Sequence, residues 1–141
     1  MSNDVRSLIN DAWGQIQAEL ASIPEERMEE PGAVGEWSVK DLMAHLAVWD
    51  DVAAAKARRH LTGEPTPESE QITWQERNDR EHARRKDWTL DETRQEMEAA
   101  HARMLDALSQ APDLEPEFWE DDTYGHYLEH LGDLWQWRSG L

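Results

Sequence analysis

The 141-residue chain has no cysteine. Disulfides, thiolate metal sites and a cysteine nucleophile are therefore excluded, and any thiol chemistry needs a thiol from a second molecule. Basic residues are scarce, 14 against 31 acidic ones, for a formal net charge of −17. That balance repels a nucleic acid backbone. The short cluster Arg84, Arg85, Lys86 is hemmed in by acids and is a poor phosphate site. No run approaches the eighteen or so apolar residues of a membrane span, and "MSNDVRSLIND" lacks a basic start followed by an apolar stretch. The expectation is a cytoplasmic protein with no nucleic acid or membrane partner. Phenylalanine occurs once, yet tryptophan occurs eight times. Those indoles supply core area and lids over loops, or wall a small-molecule pocket.

The length suits one domain, residues 1–141. Val5, Leu8, Ile9, Ala12, Ile16 and Leu20 recur at helical spacing, which predicts a first helix from about Asn3 or Asp4 to Ser22, stopped by Pro24. "PEERMEEPGAVGE" is a loop. Ser38 and Asp41 form a capping box for a second helix that runs to about Leu61, ahead of Thr62 and Gly63. Pro65 and Pro67 forbid helix in the next stretch. Residues Trp74 to Arg85 read as a short helix, polar nearly all round, inside a crossover. Thr89 and Glu92 cap a third long helix with Leu90, Met97, His101, Met104, Leu105 and Leu108 on one stripe. Pro112 and Pro116 interrupt before the last helix, from Asp122 or Thr123 to about Arg138. Four amphipathic helices and no strand pattern predict an all-α four-helix bundle. The connection over residues 63–88 is long enough to cross the bundle, which would set helices two and three parallel.

The candidate chemistry lies in six histidines. His126 and His130, in "TYGHYLEH", are spaced i and i+4, so both imidazoles share one helix face and can bind one transition metal. His45, in "WSVKDLMAHLAVWD", lies beside an apolar stripe, where a polar ring needs a partner. A third histidine opposite the pair would give a three-ligand site with open positions. His101 also sits on a core stripe, and periodicity does not rank it below His45. His60 and His82, in charged surroundings, read as solvated.

The blocks "GEWSVKDLMAHLAVWD" and "TYGHYLEHLGDLWQWR", with "TWQERNDREHARRKDWTLDETRQEMEAAHARMLDAL" between them, resemble the DinB/YfiT-like superfamily of four-helix proteins. The likeness is greatest to its ClbS/DfsB-like branch. It runs from about Ser7 to the end of the chain. The resemblance implies an up-down-down-up bundle and a metal triad of His45, His126 and His130, with no counterpart for His101. It further implies a divalent transition metal, zinc or nickel, that activates water or a small-molecule thiol for hydrolysis or transfer. Glu129 and Asp122 are candidates to orient the ligands, although Asp122 also suits a helix cap. Trp49 and Tyr127 are candidates to line a pocket for a small-molecule substrate. Two other readings stand beside this one: a metal-free ClbS-like protein that binds or hydrolyses a toxic small molecule, and a homodimeric module with a vestigial site. In antiparallel helices, His45 and the His126–His130 pair, all near N-terminal ends, meet only if the helices are staggered.

Overall fold

A computed structural model describes residues 2–139. The described residues form six α-helices and no strand: α1 (Ser2–Ala21), α2 (Val39–Thr62), α3 (Trp74–Arg85), α4 (Leu90–Gln110), α5 (Pro116–Glu120) and α6 (Tyr124–Ser139). No helix among them is long and apolar enough to cross a membrane.

Local chemistry sets the helix starts. The Ser38 side chain accepts from the Asp41 amide while the Asp41 carboxylate accepts from the Ser38 amide. Thr73 with Glu76, and Thr89 with Glu92, repeat this arrangement at α3 and α4. Gly63 ends α2 in the left-handed region, at φ 75°, where a side chain would be strained. Pro116 behaves differently from the expected interruption. It stands at the start of α5, where a missing N–H costs nothing, and α5 then buries Trp119 completely.

The core follows the helical stripes. Val5, Ile9, Ala12, Ile16 and Leu20 of α1 are buried, as are Leu42, Met43 and Leu46 of α2 and Met97 and Met104 of α4. Further along α2, Ala53, Ala54 and Ala57 replace large residues, so neighbouring backbones can approach closely. α3 contributes little apolar surface. Glu81 is its buried residue, and that carboxylate accepts from Arg80, Arg84 and Arg85.

Cross-helix bonds give the relative directions. Lys40 Nζ donates to the Trp88 carbonyl at 2.6 Å, and Arg103 Nε donates to Asp51 at 2.9 Å, so α2 and α4 run the same way. Trp13 packs edge-on to Tyr127 and Trp135 Nε1 donates to Glu19, so α1 and α6 also share a direction. Arg6 reaches Ser109 while Arg94 reaches Glu25, which sets α1 against α4. Lys56 meets Asp122 and His45 meets His126, which sets α2 against α6.

That last pairing includes the stagger that the histidines require. The segment leading into α6 lies beside Lys56, short of the end of the 24-residue α2. Within the first two turns of α6, His126 and His130 come level with His45. The approach of α5 to α6 is close: a side chain on Gly125 would place its Cβ 2.8 Å from the Glu120 carbonyl oxygen.

Candidate metal centre

His45, His126 and His130 converge. His126 Nε2 lies 2.8 Å from His45 Nε2 and 3.0 Å from His130 Nε2. One nitrogen from each of the three lies within 4.8 Å of the other two. His126 and His130 are 8% exposed, and the His45 ring is held between the Trp37 and Trp49 indoles. Crossing two helices with an i,i+4 pair on one of them is enough to build this cluster.

Burial disfavours the charged forms of His45 and His126. Desolvation, then the neighbouring His130, lowers the His45 pKa from 6.5 to about 3. Desolvation, then His45 and His130, lowers that of His126 to about 2. His130 Nδ1 donates to Asp133 at 2.9 Å, which leaves a lone pair on its Nε2. His126 Nδ1 is buried with no hydrogen-bond partner. Buried imidazole nitrogens facing one point form a donor set suited to a transition metal. Ligands on a tetrahedral ion stand about 3.4 Å apart, so the His126–His45 and His126–His130 separations need widen by only about half an ångström.

The cluster borders a cleft of about 500 Å³. Trp37, Trp49, Trp74 and Asn78 line it along with Asp121, Asp122 and Glu129. Trp49 is fixed by an Nε1–H bond of 2.8 Å to Asn78 Oδ1.

The other candidate residues fall in varied places. Glu129 is exposed on the cleft. Asp122 is buried at its edge and accepts from Lys56 Nζ at 2.9 Å, so its carboxylate is engaged by a lysine. The carboxylate that orients a histidine is Asp133, three residues beyond His130, a spacing visible in "HLGD" that the sequence reading passed over. Tyr127 does not line the cleft. One residue on from His126, it is turned about 100° around the helix. It is fully buried and its hydroxyl donates to Asp50.

His101 stands apart from the triad. Its Nδ1 lies 3.1 Å from Asp50 and 3.2 Å from the Tyr127 hydroxyl, and its ring stacks on Trp13 at 3.7 Å. His60 is exposed. His82, expected in solvent, is half-buried. It stacks on Trp37 and lies 3.3 Å from Asp41.

An all-helical protein with three histidines from two helices at the edge of a cleft is the class that this fold and site define. The sequence profile of the DinB superfamily matches residues 8–137, and the chain belongs to that superfamily. Comparison with curated proteins finds no match. Among solved structures, an uncharacterised protein from Escherichia coli UTI89 is similar at TM-score 0.80 and 16% identity, over 99% of this chain and 94% of that one. This likeness concerns the fold.

The neutral histidines make metal-free stability depend on pH. Between about 3 and 6.5, the unfolded chain binds protons that folded His45 and His126 refuse, so stability falls as pH falls. At pH 5 each such histidine costs about 2 kcal/mol. Asp50 works in the opposite sense, because burial raises its pKa and its protonation in acid favours the fold. Urea melts of chelator-treated protein at pH 7, 6 and 5 should show a steep loss, smaller in His126→Ala. A wild-type midpoint that does not move would refute the neutral buried cluster.

Proposed function

We propose that the chain is a metal-dependent enzyme of the DinB superfamily that acts on a small molecule by hydrolysis or group transfer. The observation that carries this reading is the convergence of three Nε2 atoms, from His45, His126 and His130, beside an indole-walled cleft. Zinc or nickel suits three imidazoles with positions left open. Such an ion supplies Lewis acidity, lowering the pKa of a water or thiol that enters beside it. Asp133 holds the His130 ring in the tautomer that keeps Nε2 free. Trp37 and Trp49 pack against the His45 ring and hold it at the cleft. With no cysteine in the chain, a thiol nucleophile would be a cosubstrate.

The four long helices, α1, α2, α4 and α6, read as the up-down-down-up bundle. The directions of their cross-helix bonds support this arrangement. Within the superfamily we place the chain nearest the ClbS/DfsB-like branch, on the quoted blocks around His45 and the His126–His130 pair.

Elemental analysis of protein purified without a histidine tag tests the metal. About one zinc or nickel per chain is expected, either as isolated or after dialysis against the ion. Failure to take up either ion would leave the metal-free binding role and remove this one.

A further inference from the structure

The cleft carries charge of one sign. Asp121, Asp122 and Glu129 line it, and no lysine or arginine does. Arginines are instead concentrated in a separate groove of about 280 Å³ between α2 and α3, where Arg59, Arg77, Arg80, Arg84 and Arg85 face Glu70 and Glu81. Lys56 balances Asp122, but Asp121 and Glu129 are exposed and enter no ion pair among the described residues.

Three indoles line the same cleft. Trp37 is held by the stacked His82 ring and Trp49 by its bond to Asn78, so two indoles are set in place before a ligand arrives. Trp74, at the start of α3, is 65% exposed, a large apolar surface left in water at the cleft. The Trp49 ring already attracts a cation: the Arg77 guanidinium lies 5.9 Å from its centroid.

We propose that the cleft takes an organic cation, an amine or quaternary ammonium carried on a flat apolar body. This rests on the reading that the cleft is the substrate site beside the histidines, and it names the substrate class. The flat body stacks on the indoles, and the cationic head meets ring faces and the carboxylates of Asp121 and Glu129. An anion on that side of the cleft meets the like charge of Asp121 and Glu129, and the neighbouring Lys56 is already engaged by Asp122.

Three probes of similar size test it by calorimetry: benzyltrimethylammonium, benzyl alcohol and phenylacetate. Each is titrated into protein as purified and after chelator treatment, with metal content measured on the same samples. In chelator-treated protein the ammonium should bind about tenfold tighter than the alcohol, and phenylacetate should bind weakest. Asp121→Asn with Glu129→Gln should erase the advantage of the ammonium. Both positions are exposed, so the fold is retained. Trp74→Ala should weaken ammonium and alcohol together. Equal binding of the three probes, preference for phenylacetate without metal, or an ammonium advantage untouched by the double variant would each overturn the proposal. An ammonium preference in protein that takes up no metal would keep this proposal and defeat the metal reading. Bound metal with no such preference would do the reverse.

Discussion

His45→Ala should lose its metal and, with it, the stability that metal confers, while the metal-free protein should melt close to metal-free wild type. The ring is partly exposed at the cleft, and its Nε2 faces His126 and His130 with no carboxylate in reach. Deleting it removes one of three ligands and leaves no buried charge behind. A ligand at a thousand times its dissociation constant stabilises the fold by about 4 kcal/mol. For a chain of this length that is roughly 10 °C or more in Tm. Wild type should therefore fall by that amount on chelation, and His45→Ala should start low and stay there. Asp133→Asn keeps all three ligands and loosens only the His130 ring, so its metal affinity should drop by about 10–100-fold. His101→Ala should behave the other way, keeping metal while melting well below wild type even with chelator present. Thermal melts of the four proteins, with and without chelator, check the set. If chelator leaves wild type unmoved and His45→Ala is strongly destabilised, His45 is a structural histidine and the metal reading falls.

What could be read from the sequence depended on how local each determinant was. Helix starts were legible because a capping box closes within four residues, as Ser38–Asp41 and Thr89–Glu92 do. The shared face of His126 and His130 was legible for the same reason, since one helical turn carries it. The choice between His45 and His101 was not, because both lie on an apolar stripe and only the third dimension separates them. His45 meets the histidine face of α6. His101 meets Asp50 and the buried side of Tyr127. The superfamily resemblance supplied that choice where periodicity was silent. Asp50 was invisible for a related reason. In "VWDDV" it looks like a surface residue, yet it is fully buried, and its partners are 51 and 77 residues away in sequence. Pro116 misled because proline ends one helix and begins another with equal ease, and only the burial of Trp119 shows which it does here.

Asp50 accordingly carries the second large expected effect. Its carboxylate joins three helices: Oδ2 lies 3.1 Å from His101 Nδ1 on α4, and the other oxygen accepts from the Tyr127 hydroxyl on α6. Desolvation raises its pKa, while the bonds from His101 and Tyr127 pull it back, so burial opposes the charge and the partners hold it in place. Asp50→Ala strands both partners in a dry interior and leaves a small void. Each buried donor left unpaired costs about 1–3 kcal/mol, so losing the acceptor of both should cost roughly 2–6 kcal/mol. Asp50→Asn keeps the shape and one acceptor oxygen, and its uncharged amide avoids the desolvation of a carboxylate. Its loss should be nearer 1 kcal/mol, that of one weakened buried hydrogen bond. Urea melts in chelator at pH 7 should therefore rank wild type, Asn and Ala in that order, with the larger step between Asn and Ala. Metal stoichiometry in the folded Asn variant should match wild type, because Asp50 touches none of the three Nε2 atoms. An Ala variant as stable as wild type would show that the Asp50–His101–Tyr127 network does not hold α2, α4 and α6 together. A stable, metal-free Asn variant would show instead that the network positions the histidines through Tyr127, the neighbour of His126.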